Sequence, residues 1–203
     1  MKKLFVIAAL FVSMAVASAQ QFGVKGGLTL STANGADKPK ENKAMVLYEA
    51  GILYKADLGA GFAIQPSLLY QVKGANVGHL DTATDEDFKV KTGFVELPLG
   101  IQWGPELGSF RPFVFGEPFI GYRVSSTDRG NETFQDWASQ AKNKFEYGFG
   151  LGAGLEISDH LQLSVQWFNN LGTMFSKPAE AGTESLEKVK NFEGIKFSLA
   201  ILF

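Results

Sequence analysis

Alternation of apolar and polar residues with a period of two dominates this chain. It is clearest over residues 193–203, where one parity is entirely apolar: Ile195, Phe197, Leu199, Ile201 and Phe203. The other parity carries Lys196, Ser198 and Ala200. Strict alternation predicts a β-strand with one apolar face and one more polar face.

Eight segments alternate in this way, and their boundaries are defined to within about two to four residues. They span roughly residues 21–31, 44–57, 62–73, 89–103, 111–125, 142–157, 161–172 and 190–203. The gaps alternate in length. Four are long and polar, namely 32–43, 74–88, 126–141 and 173–189, and three are short and carry turn-forming residues, namely 58–61, 104–110 and 158–160.

This alternation of long and short connections predicts an all-β fold, a closed antiparallel eight-stranded up-and-down transmembrane barrel. Each segment has at least the nine to eleven residues, roughly, that a tilted strand needs to cross hydrocarbon. An even strand number places both termini at the short-turn end. We therefore expect an outer-membrane protein of a Gram-negative bacterium with periplasmic termini and extracellular long loops. A last strand ending on an aromatic, here Phe203, is common in such barrels.

The amino terminus predicts a cleaved signal peptide over residues 1–19. Lys2 and Lys3 precede an apolar run, and Ala17-Ser18-Ala19 forms a small-residue cleavage site. The barrel domain would then occupy 20–203. Its 17 basic and 21 acidic residues argue against a nucleic-acid partner. The absence of cysteine excludes disulfides and an acylated-cysteine anchor.

Tyrosine and tryptophan residues of the alternating segments fall on the apolar parity. If the apolar parity faces outward, all five tyrosines and two tryptophans lie outside: Tyr48, Tyr54, Tyr70, Tyr122, Tyr147, Trp103 and Trp167. Tyr48, Tyr70, Tyr122 and Tyr147 fall toward the long loops, and Tyr54 and Trp103 toward the short turns. This distribution predicts two aromatic girdles at the membrane interfaces.

The opposite parity collects small residues and charges. Six bases and six acids share it: Lys25, Lys55, Lys73, Arg123, Lys144, Lys196, Glu49, Asp57, Glu96, Glu117, Glu146 and Glu156. Because buried charges are tolerated only when paired, we expect a packed ionic lumen without a channel. Four glycines between 148 and 154 would make room for larger side chains opposite.

Several stretches resemble the PorT-like outer-membrane β-barrel family of Bacteroidota, which is related in architecture to small OmpA-like barrels. They are Gly23 to Leu28, Ile64 to Gly74, Glu96 to Leu99, Arg111 to Tyr122 and Gly148 to Ile157. Two positions depart from the family pattern: Ser67 stands where an acidic residue is usual, and Phe94-Val95 where a tyrosine is usual. The resemblance implies an outer-membrane barrel. Because the few studied members act in secretion or motility, it also suggests an accessory role in secretion.

A catalytic role is not expected. The two histidines, His79 and His160, fall at opposite ends of the predicted barrel, and neither lies beside a serine on an outward mid-strand position. No cofactor or metal is predicted, because the acidic segment 81–87 lacks the order of a calcium loop. Thr82 lies in a weak glycan-acceptor pattern.

The expected function is structural, or an interaction at the cell surface. Phe134 and Trp137 in the third long loop are candidate contacts with a surface partner, or they fold back to cap the barrel mouth. Two alternatives remain: a porin-like conduit for small solutes, and a soluble lipocalin-like barrel with the apolar parity inside. The expected partners are outer-membrane lipid and the barrel-assembly machinery during insertion, with the protein itself a monomer.

Overall fold

The computed structural model describes residues 20–34, 42–77, 88–129, 144–171 and 191–203. Every regular element within these ranges is a strand. None of the described residues forms a helix long and apolar enough to span a membrane. The predicted signal segment and the sites proposed at His79, Thr82, Phe134 and Trp137 lie outside the described residues.

Nine strands are formed within the described ranges, of which eight are long and one has two residues. They are β1 (Gln20–Asn34), β2 (Asn42–Lys43), β3 (Met45–Gly59), β4 (Phe62–Val77), β5 (Phe88–Trp103), β6 (Phe110–Arg129), β7 (Phe145–Ile157), β8 (Leu161–Asn170) and β9 (Asn191–Leu202). The eight long strands correspond to the eight alternating segments. The short strand β2 pairs with the end of β4 just before β3 begins.

The eight long strands close into one antiparallel barrel. Strands adjacent in sequence pair along the chain from β3 to β9, and β1 pairs with β3 on one side and with β9 on the other. The last strand therefore closes on the first, with Val24 opposite Ile201. The predicted eight-stranded up-and-down barrel is confirmed, and closure leaves no long strand with an open edge at mid-barrel.

Short turns define one end of the barrel, which we call the turn end. Gly59, Ala60 and Gly61 all have positive φ angles. The backbones of Gly61 and Gly104 approach closely. The Gly104 amide donates to the Gly61 oxygen over 3.0 Å, and a side chain on Gly61 would overlap the Gly104 carbonyl oxygen. The amide of Phe203 donates to Phe22, so both ends of the described chain lie at the turn end.

The apolar parity faces outward. Leu97, Leu99 and Ile101 of β5 are each about half exposed, whereas the alternate residues Glu96 and Gln102 are buried. The lipocalin-like alternative requires the opposite orientation, so it is wrong for this barrel. Over its middle the outer wall presents apolar side chains, so a hydrocarbon environment is the one it fits.

The other end, the loop end, is uneven in height. Strands β4, β5 and β6 remain paired as far as Val77, Phe88 and Arg129. In contrast, β7 begins at Phe145, opposite Tyr122 of β6. The ends of β4, β5 and β6, together with β2, therefore form a sheet that extends beyond the start of β7. We call it the tongue; it comprises residues 42–43, 74–77, 88–93 and 123–129.

Candidate functional site in the barrel lumen

The lumen holds ten charged side chains among the described residues, none more than 6% exposed. Five are bases and five are acids: Lys25, Lys55, Lys73, Arg111, Lys196, Glu49, Glu96, Glu117, Glu146 and Glu156. Because an unpaired buried charge costs several kcal/mol, roughly, a set of this size requires pairing throughout. The formal charges of the ten sum to zero.

At the loop-end side of the lumen, Lys73 links two carboxylates. Its ammonium nitrogen lies 2.6 Å from Oε1 of Glu96 and 3.0 Å from Oε1 of Glu146. The same nitrogen donates to the side-chain oxygen of Asn170 over 3.1 Å. The Asn170 amide in turn donates to the other oxygen of Glu146. All donors of Lys73 are therefore directed at acceptors.

The pairing continues through the middle of the lumen. Lys196 lies 3.8 Å from Glu96 and 3.6 Å from Glu49, and donates to Gln71 over 2.8 Å. The Lys25 ammonium nitrogen lies 3.5 Å from a Glu49 carboxylate oxygen and 3.8 Å from one of Glu117, so it links these two residues. The result is an alternating chain of three lysines and four glutamates, which we call the lysine–glutamate chain: Glu117, Lys25, Glu49, Lys196, Glu96, Lys73 and Glu146.

A second cluster lies at the turn end. Glu156 accepts from Lys55 over 2.7 Å and pairs with Arg111 at 3.3 Å. Arg111 also donates to Gln102 and to the Gly61 carbonyl, which ties the cluster to the turn between β3 and β4. This cluster has two bases and one acid, and it balances the excess carboxylate of the lysine–glutamate chain.

Side-chain amides and a hydroxyl supply neutral donors to three of these carboxylates. Gln166 donates to Glu117, Gln162 donates to Glu156, and the Ser198 hydroxyl donates to Glu49 over 2.7 Å. Each glutamate of these three is thus held by a base and by a neutral donor. Such multiple contacts are the condition under which buried ion pairs are tolerated.

Phenylalanine rings fill the space around the two innermost lysines. The Lys73 ammonium lies 4.4 Å from the centre of the Phe119 ring and 5.3 Å from that of Phe168. Lys196 lies over the same two rings. Sequence parity assigned small residues and charges to the lumen, so the buried phenylalanines correct that description. A ring face stabilises a cation where water is excluded.

Glycines of β7 give these rings their space. Phe113 and Phe115 pack over Gly154 and Gly152, where an added Cβ would overlap both the ring and a carbonyl of β8. The predicted role of these glycines, to make room for larger side chains, agrees with this geometry. The lumen is therefore filled across its width.

Three residues of the predicted network lie apart from the buried set. Asp57 contacts Lys55 at 3.2 Å, but its side chain is 32% exposed at the turn-end rim. Arg123 is half-buried, beside the β-bulge that shifts the β5–β6 register. Lys144 is exposed because β7 begins only at Phe145, so alternation no longer directs it inward.

Arg111 is the buried charge that the sequence analysis missed. It stands at the first predicted residue of its segment, where boundaries are least certain. Its parity with Phe113, Phe115 and Glu117 was the available signal. The predicted six bases and six acids thus become five and five.

The six predicted girdle residues all lie on the outer face. Tyr48 and Tyr70 are in ring contact at the loop end, with centroids 6.4 Å apart, and Tyr122 contacts Phe145 there. Tyr54 contacts Phe22, and Trp103 contacts Phe62, at the turn end. Tyr147 lies exposed on β7 toward the loop end. The rings are thus grouped toward the two ends of the wall.

The space left in the lumen is small. A cavity of about 10 Å³ is lined by residues that include Lys25, Gln65, Phe115 and Glu117, and this volume holds about one water molecule. No cluster of three or more metal-binding side chains occurs among the described residues. The arrangement is suited to filling and bracing the barrel rather than to binding a solute.

A family comparison agrees with this geometry. Residues 17–176 match the model of the family described as outer membrane protein beta-barrel domain. The chain belongs to that family. It is accordingly an outer-membrane barrel, while its PorT-like assignment stays a prediction. None of the curated proteins compared with it matches.

Solved structures that resemble this chain have distant sequences. Neisserial surface protein A has 10% identity and a TM-score of 0.45, with coverage of 90% of this chain and 97% of that one. Ail of Yersinia pestis, solved with the heparin analogue sucrose octasulfate, has 10% identity, a TM-score of 0.41 and coverage of 91% and 99%. A major outer membrane protein of Thermus thermophilus has 13% identity, a TM-score of 0.40 and coverage of 91% and 100%.

Proposed function

We propose that this protein is a non-enzymatic, non-conducting barrel that anchors its long loops at the cell surface. The observation that carries the proposal is the packed lumen. Ten paired charges and several phenylalanine rings fill it, and the cavity beside Lys25 and Glu117 has room for about one water. A rigid filled barrel supports loops, whereas a conduit needs a continuous aqueous path.

Conductance in planar lipid bilayers tests the packed lumen. We expect the wild-type protein to insert without current. A double variant, Lys25→Ala with Glu117→Ala, enlarges the cavity and removes a charge pair together, so we expect brief openings. Ile120→Ala, on the outer wall, is the matched control and should stay silent. A steady open current through the wild-type protein would establish the porin-like alternative instead.

The proposal includes an orientation, with the turn end and termini in the periplasm and the loop end outside. Because the chain has no cysteine, single cysteines report on each end. Lys144→Cys at the loop end and Glu106→Cys at the turn end both replace exposed residues. A membrane-impermeant maleimide should label the first variant on intact cells and the second only after lysis. The reverse pattern would invert the orientation.

A finer proposal is an accessory role in secretion. It is supported by the PorT-like resemblance and by the two aromatic residues of the third long loop, Phe134 and Trp137. Photo-crosslinking residues placed at these positions in intact cells should capture components of a secretion assembly. Capture of lipid alone would leave the protein an anchor without that role.

A further inference from the structure

Three prolines stand inside the wall on neighbouring strands. Pro66 of β4 pairs with Leu99 of β5. Pro98, the residue before Leu99, pairs with Phe119 of β6, and by the same register Leu99 lies opposite Pro118. Proline has no backbone N–H, so inside a sheet it removes a ladder hydrogen bond and is normally confined to edge strands or bulges. We call the line of residues 66, 98, 99 and 118 the proline row.

Strand pairing is interrupted at the proline row. Pairing of β4 with β5 stops at Pro66 and resumes at Leu69 in an unchanged register. Pairing of β5 with β6 stops at Pro98 and resumes at Ile101, again in register. Pairing of β3 with β4 is likewise interrupted opposite Pro66. By contrast, the described pairings of β1 with β3 and with β9, and those from β6 to β9, are continuous.

The lumen cavity lies directly behind the proline row. Gln65, Gly100 and Glu117 are among the residues that line it, and each is next in sequence to a residue of the row. Gly100 places no side chain between the other two. An added Cβ there would lie 3.4 Å from Gln65 and 3.8 Å from a carboxylate oxygen of Glu117. The interrupted pairing and the free volume of the lumen therefore coincide.

A buried hydroxyl without a hydrogen-bond partner lies at the same place. Ser67, next to Pro66, is 6% exposed, and its Oγ has no partner among the described residues. By register, Ser67 lies opposite Pro98, which has no N–H to donate to the Ser67 carbonyl. Buried polar groups are normally satisfied by protein or by water, and a missing backbone bond is costly in hydrocarbon. A water molecule admitted here would serve both groups of Ser67.

We propose that the wall opens locally along the proline row and admits water between the lumen cavity and the backbones of β4, β5 and β6. Local opening is easiest where few backbone hydrogen bonds resist it. The opening is sideways and leaves the paired charges of the lumen in place, so it gives no aqueous path along the barrel axis. The same three strands extend into the tongue, so the wall opens beneath the part that extends beyond β7.

Amide hydrogen exchange, measured by NMR on the protein in lipid nanodiscs, tests this opening. Val165 is the internal reference, because it lies four residues from the start of β8, as Pro66 does in β4, and its pairing with β9 is continuous. We expect protection factors at Ser67 and Gly100 to be about tenfold lower than at Val165, since two ladder bonds are missing nearby. Pro98→Ala returns an amide donor to β5 and should raise both values about fivefold, the factor for one net hydrogen bond.

Pro112→Ala is the matched control. Pro112 also lies in a strand of the wall, β6, but outside the row and within continuous pairing to β7, so its replacement should leave these protection factors unchanged. An equal rise in this control, or equal protection at Gly100 and Val165 in the wild-type protein, would overturn the proposal. So would unchanged protection in a Pro98→Ala variant whose gel mobility still differs between unboiled and boiled samples. If that variant does not form the barrel, Pro118→Ala, which returns a donor opposite Leu99, makes the same test.

Discussion

Phe145 and Glu146 are neighbours in β7, yet the phenylalanine is 71% exposed and the glutamate 1%. The same alternation of exposure runs along the long strands, with an apolar outer wall and a lumen lined by charged, polar and phenylalanine side chains. The two faces are stabilised differently. The outer wall depends on hydrocarbon as its solvent, whereas the lumen depends on specific partners that satisfy each charge.

The largest expected effect comes from breaking one pairing in the lumen. Lys73→Met removes the cation shared by Glu96 and Glu146 and leaves both carboxylates buried. We expect a loss of about 3–5 kcal/mol in the free energy of unfolding, because a buried charge loses its partner. Urea unfolding in lipid vesicles, followed by tryptophan fluorescence, measures it.

The double variant Lys73→Met with Glu146→Gln separates charge from packing. It returns the net charge of the lysine–glutamate chain to its wild-type value, so part of the lost stability should return. Equal destabilisation in the single and double variants would show that packing around Lys73, rather than its charge, dominates.

A charge on the outer wall should cost less than a charge left unpaired inside. Leu99 lies midway between the girdle levels of Val95 and Trp103 on β5, and its side chain is exposed to lipid. Leu99→Arg should destabilise the barrel by about 2–4 kcal/mol, as expected for arginine at the bilayer midplane. Leu107→Arg, at an exposed turn-end leucine, is the control, and a similar cost there would contradict the membrane position assigned to the wall.

Adding a methyl group should affect the lumen face and the outer face of the wall differently, with a smaller loss of stability than the charge substitutions. Gly152→Ala places a methyl group against the Phe115 ring in the lumen, and overpacking of this kind costs about 1–3 kcal/mol. Gly26→Ala adds the same group to the outward-facing parity, where the nearest atom would be 3.8 Å away. We expect little change in the latter. Comparable unfolding midpoints for the two variants would show that the lumen is loosely packed.

The smallest effect belongs to a polar contact on the outer wall. The Tyr70 and Ser125 hydroxyls lie 3.2 Å apart across Gly93. Tyr70→Phe should cost about 0.5–1.5 kcal/mol at most, because the net contribution of such a hydrogen bond is small. Ser125→Ala should give a similar value, and the double variant should cost no more than either one. Additive losses would show that the two hydroxyls act separately.

The sequence by itself determined where the long strands lie, their order, and which face of each strand points away from the lumen. Alternation is a local property, so β5 could be read from Phe88–Trp103 without knowledge of its neighbours. The lengths of the connections then implied closure, and parity placed Tyr70 outside and Glu96 inside. Errors appeared where strands begin or shift register. Arg111, at the start of its segment, was overlooked although its parity was correct, whereas Arg123 and Lys144 lie beside a bulge and before a strand, where alternation no longer directs a side chain inward.

Only the tertiary structure decided which charges meet. Lys55 and Glu156 pair across 101 positions, and Ser198 reaches Glu49 across 149. Parity states that such residues share the lumen, but their partners depend on strand tilt and register around the closed wall.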